Sequence, residues 1–130
     1  MKEICTEKAP GAIGPYSQAV VSGQMVFTSG QIPVNPATGE ISSDVREQAR
    51  QVFANVSEVL KAAGSSMKEV VKTTVFIKNM EDFAAVNEEY AKFFEQPYPA
   101  RSCVEAARLP KDVLIEMEAV AVKENERTLL

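Results

Sequence analysis

Histidine is missing from all 130 residues, and its absence removes the Ser-His-Asp and Cys-His arrangements and the HExxH zinc motif together. Any chemistry must then use carboxylate, guanidinium, thiol, phenol or backbone. Cysteine is scarce. Cys5 and Cys103 lie far apart without a CxxC partner, which argues against a disulfide framework or a thiolate zinc site and fits free thiols in a reducing cytosol. No apolar run reaches spanning length, and no basic segment leads into an apolar one at the start. The expectation is therefore a cytoplasmic protein with no membrane contact. Basic charge is not in excess either: the formal net charge is −4, which disfavours broad binding to nucleic acid. Arg101, Arg108 and Lys111 read as solvated turn charges around Pro110.

A chain of this length fits one domain, read here as 1–124, with 125–130 as a polar, frayed tail. Met1 to Thr6 reads as a short strand, followed by a Pro/Gly-rich loop from Pro10 to Pro15. Gln18–Val21 and Met25–Ser29 read as a hairpin around Gly23. The strongest helix signal starts at Asp44, a cap to which Glu47 reaches back, and ends at Gly64. A β-rich run covers Glu69 to Lys78, and a second helix spans Asp82 to Phe94 before Pro97 and Pro99 stop it. Ala100–Arg108 and Val113–Lys123 are the last strands, separated by the turn Leu109-Pro110-Lys111-Asp112.

This order gives an α+β fold in which two helices shelter one face of about six strands. The final strand is nevertheless apolar on both sides. Ile115, Met117, Ala119 and Ala121 share one parity and Leu114, Val120 and Val122 the other, so the second face needs a cover, and self-association supplies one economically.

Three residues stand out chemically. Arg101 and Cys103 lie two apart in one strand, so both side chains share a face. Glu116 sits inside the apolar run VLIEMEAVAV, where a lone carboxylate is costly to desolvate, and Arg101 is the nearest candidate partner. Glu118 has the same parity as Glu116, and one of the two is expected in solvent.

The segment PARSCVEAARLPKDVLIEME (Pro99 to Glu118) resembles the C-terminal signature of the RidA-type reactive intermediate deaminases, the family formerly called YjgF. Three further stretches resemble the same family in the same order: APGAIGPYSQAV (Ala9 to Val20), SGQIP (Ser29 to Pro33) and FAAVNEEYAKFF (Phe83 to Phe94). The resemblance implies a chorismate-mutase-like, mixed six-stranded sheet and a homotrimer whose sheets form a central barrel with clefts between subunits. It implies an enzyme, a hydrolase of C–N bonds acting on 2-iminobutanoate and 2-iminopropanoate. These are the imine tautomers of 2-aminocrotonate and 2-aminoacrylate, and the products are 2-oxo acids and ammonia, with no cofactor and no metal. By resemblance Arg101 anchors the substrate carboxylate, Glu116 orients the hydrolytic water, and Tyr16, Ser29, Gly30, Asn87 and Cys103 line the site.

Two other classes of function fit the same features less well. A module that senses 2-oxo acids or binds a protein partner would hold ligand without turnover. RNA cleavage is disfavoured by the acidic charge and the missing histidine.

Overall fold

The structure, a computed structural model, describes residues 1–124, so the expected tail lies outside the described residues. The strands are β1 (Lys2–Ile4), β2 (Ala19–Ser22), β3 (Met25–Thr28), β4 (Val70–Ile77), β5 (Ala100–Glu105) and β6 (Ile115–Val122); the helices are α1 (Val45–Ala62) and α2 (Phe83–Tyr90). The strands form one mixed sheet in the order β1-β2-β3-β6-β4-β5. Only β4 and β5 run parallel, because α2 lies between them in the chain and carries it back to the same end of the sheet.

Local chemistry explains most boundaries. Gly23 takes φ +60 in the β2–β3 turn, a left-handed conformation that a side chain would strain. Asp44 caps α1 by accepting from the Glu47 N–H at 3.0 Å. The expected return bond from Glu47 to Asp44 does not form: the Ser42 hydroxyl donates to Glu47 instead and accepts from the Asp44 N–H at 3.1 Å. Gly64, at φ +80, follows the end of α1 as expected. The second helix is shorter than its apolar stripe. After Tyr90, Lys92 and Phe93 bond back three residues, which tightens the turn and brings Phe93 onto Phe53 and Phe94 onto Tyr90.

Strand parity then divides the sheet. Ile115, Met117, Ala119 and Ala121 are buried under α1 together with Val75, Ile77 and the fully enclosed Phe53. Truncating Phe53 to Ala would cost about 3–5 kcal/mol through lost transfer energy and the cavity left behind. Among the described residues no helix covers the other face: Glu116, Val120 and Val122 are half-buried, and Glu118 is exposed. Phe27, the register partner of Val120, and Val104 on β5 are exposed there too.

Candidate active site

The sheet itself places the two strongest site residues. Arg101 pairs with Thr73 across β4–β5, whereas Glu116 pairs with Phe76 across β4–β6. Positions 73 and 76 point to opposite faces of β4, so Arg101 rises on the helix side and Glu116 on the open side. Three residues along the strand and two strand spacings across it put their backbones roughly 14 Å apart. The ion pair expected between them is thus ruled out within one chain.

Arg101 is held by α2. Its Nη1 donates to Asn87 Oδ1 at 2.7 Å, and its guanidinium carbon lies 4.8 Å from the ring centroid of Tyr90 and 5.5 Å from that of Phe83. Cys103 shares its face, as parity required. Burial pushes the Cys103 thiol up, opposed by the charge of Arg101, so the sulfur stays protonated at neutral pH and acts as a small apolar surface. Asn87, Tyr90, Tyr98, Pro99 and Arg101 border a cavity of about 370 Å³.

Glu116 opens onto a different cavity, of about 320 Å³, lined by Ile13, Tyr16, Ser29, Gly30, Ile32 and Pro110. Its carboxylate occupies the space that a Cβ on residue 30 would fill, which is the physical reason for glycine there. Among the described residues it has neither a salt bridge nor a hydrogen bond. Burial first, and the charge of Glu118 second, raise its pKa above the ordinary 4.5.

The walls of this second cavity are braced from behind. The buried Gln18 amide accepts from the Thr6 N–H at 2.7 Å and donates to the carbonyls of Thr6, Ala9 and Pro10, fixing the loop that carries Ile13 and Tyr16. The Tyr16 hydroxyl accepts from the Ile13 N–H at 3.3 Å. Ser29 spends its hydroxyl on the Ser17 carbonyl. Asn55 of α1 donates to the carbonyls of Ile32 and Val34 at 3.0 Å each.

The expected site residues therefore fall into two groups, Arg101, Asn87 and Cys103 in one and Tyr16, Ser29, Gly30 and Glu116 in the other. Among the described residues no cluster of His, Cys, Asp and Glu suits a metal ion. Sequence reasoning missed the contact of Phe83 and Tyr90 with Arg101. It also missed Glu89, which is 1% exposed and held by Arg46, Arg50 and Lys92. Glu89 lies three residues after Val86 and four before Phe93, on the buried side of α2, and that position was the available signal.

Residues 6–123 match the family described as Endoribonuclease L-PSP. The chain belongs to this family, YjgF/RidA. A RutC family protein of Haemophilus influenzae is 60% identical over 124 residues, covering 92% of this chain and 95% of the relative. A 2-iminobutanoate/2-iminopropanoate deaminase of Escherichia coli K12 is 58% identical over 125 residues, covering 94% and 98%. The crystal structure of E. coli TdcF with bound serine superposes with a TM-score of 0.91 at 54% identity, over 95% of this chain and all of the other. The two groups of candidate residues thus lie on opposite faces of a RidA-family sheet.

Proposed function

We propose that this RidA-family chain hydrolyses 2-imino acids, and the enamine acids that tautomerise to them, giving 2-oxo acids and ammonia. The observation that carries this reading is a pair of complementary half-sites. Among the described residues, one offers a guanidinium with a single hydrogen bond, to Asn87; the other offers a half-buried carboxylate with no hydrogen bond or salt bridge.

A small imino acid cannot span roughly 14 Å, so the working site needs Arg101 of one chain beside Glu116 of another. A homotrimer in which the uncovered sheet faces form a barrel would bury Phe27, Val104 and Val120. Each such apolar side chain contributes about 1.5–3 kcal/mol when fully buried.

In that cleft Arg101 binds the substrate carboxylate bidentately. Glu116 accepts a proton from water as the water oxygen bonds to C2 and the C=N electron pair moves to nitrogen, which takes that proton from Glu116. Glu116 then takes the hydroxyl proton of the carbinolamine and returns it to nitrogen as the C–N bond breaks, so ammonia leaves, the 2-oxo acid remains and the carboxylate is restored. Burial raises the pKa of Glu116 above the ordinary carboxylate value, which makes its ionised form a stronger base. The activity of the E. coli relative, named for 2-iminobutanoate and 2-iminopropanoate, and the serine bound to TdcF, an amino acid with the same carboxylate, support this reading. The family description names an endoribonuclease, but a net charge of −4 and the lack of histidine suit RNA cleavage poorly.

The test is imine loss in a coupled assay with a serine dehydratase supplying 2-aminoacrylate. Pyruvate and ammonia should form faster than in the uncatalysed control. A rate equal to the control, together with tight 2-oxo acid binding, would favour the sensor instead.

A further inference from the structure

We infer that Tyr90 and Phe83 are positioning residues for Arg101, forming with Asn87 a three-sided cradle that sets the guanidinium to receive a carboxylate. Phe83, Asn87 and Tyr90 are spaced i, i+4 and i+7, so one face of α2 presents all three. Arg101 Nη1 donates a hydrogen bond to Asn87 Oδ1 at 2.7 Å. The two rings meet the guanidinium carbon at 4.8 and 5.5 Å. Contact through an aromatic face consumes no N–H donor, so the remaining donors of the fork stay available for a ligand.

The platform is itself fixed. The Tyr90 hydroxyl lies 2.8 Å from Thr73 Oγ1, and Thr73 is the register partner of Arg101, so ring and guanidinium are referenced to the same row of the sheet. Phe53 meets Tyr90 edge-on at 5.6 Å and Phe94 packs against it at 4.4 Å. On the preceding residue, Glu89 draws in Arg50 at 2.8 Å and Arg46 at 3.1 Å from α1, which ties α2 to α1. An arginine on an open edge strand would otherwise sample many rotamers and would have to be ordered by each incoming ligand.

This inference rests on the imine-hydrolysis reading for its kinetic consequence but not for its geometry. Tyr90→Phe, Tyr90→Leu and Phe83→Leu in the full chain separate ring from hydroxyl. Tyr90→Phe leaves the enclosed Thr73 hydroxyl without its partner, so its melting temperature falls, yet it keeps the ring and its KM should stay within about twofold. Tyr90→Leu removes the ring and should raise KM about tenfold with kcat changing less. Phe83→Leu alters a side chain that is 37% exposed, so it should fold normally and raise KM about threefold. The Arg101 Nε–H resonance, displaced by the two rings, should move in both Leu variants and not in Tyr90→Phe.

A KM that follows melting temperature rather than the ring, or an Arg101 resonance unmoved by both Leu substitutions, would overturn the inference. If Tyr90→Leu does not fold, Phe83→Leu decides alone. Wild-type chain that turns over no imine refutes the function reading, while the resonance still reports on the cradle.

Discussion

Arg101 and Glu116 lie on opposite faces of one sheet, linked through Thr73 and Phe76 of β4, whose side chains alternate. On the proposed reading, a single chain holds both halves of a carboxylate-and-water site without being able to use them together, so use on one small substrate requires a second copy. The expected state is a trimer, read by light scattering at micromolar concentration. Val120→Lys, which sets a charge on the uncovered face, should yield monomers with intact far-ultraviolet circular dichroism and no turnover. A fully active monomer would sink the shared-cleft reading.

Arg101→Lys keeps the charge but loses the planar fork and its fit to the Asn87 and Tyr90 cradle. Turnover should fall by most of its value, and Arg101→Ala should do no better. Wild-type rates in a folded Lys variant would show that bidentate binding is unnecessary.

Glu116→Gln retains the shape of the side chain while removing its basicity. Turnover should drop on the order of 10²-fold or more, with 2-oxo acid affinity and the oligomer preserved. Only ionised Glu116 accepts a proton, so kcat/KM should show an acid limb that follows Glu116, whose pKa burial raises and the neighbouring chain's Arg101 lowers. Glu118 is the second cause of that rise, so Glu118→Gln should move the limb to lower pH. A limb that stays in place in Glu118→Gln would exclude this coupling.

Gly30→Ala tests the close approach directly. The new Cβ would lie within 2.9 Å of Glu116 Cδ, closer than non-bonded carbons tolerate, so the carboxylate must swing away. A fall in turnover comparable to that of Glu116→Gln is expected, with little change in melting temperature, since the side chain has the open face to move into. Unchanged turnover would mean that the carboxylate position is not critical.

Glu89 makes a separate, acid-sensitive contribution. Hydrogen bonding from Arg50, with help from Lys92 and Arg46, holds its carboxyl down to about 2 against an ordinary 4.5. A depressed carboxylate stabilises the fold fully above the unfolded value, and that contribution fades as pH falls from about 4.5 toward about 2. Urea midpoints of wild type and Glu89→Gln should therefore differ at pH 7 and converge near pH 2. A gap independent of pH would show that the network contributes through packing alone.

Strand parity, turn glycines and the Asp44 cap were legible because each depends on neighbours within a few residues. Alternation along VLIEMEAVAV put Ile115, Met117, Ala119 and Ala121 on one face and Glu116 with Glu118 on the other, but which of the two carboxylates is half-buried came from the packing around them. The same alternation correctly placed Arg101 and Cys103 together. Glu47 shows the limit even at short range, because Ser42 competed for its carboxylate.

The sequence by itself determined the α+β order of elements, which residues of each strand share a face and the residue types available for catalysis. Only the tertiary structure decided that Arg101 faces α2 and not Glu116, that the Glu116 carboxylate lies over Gly30, and that Glu89 is buried among three cations. The reason is physical: periodicity records which side of its own strand or helix a residue occupies. Which face of the sheet the helices cover, and which strand lies between β5 and β6, follow from strand order and long-range packing, and no local pattern in the chain encodes them.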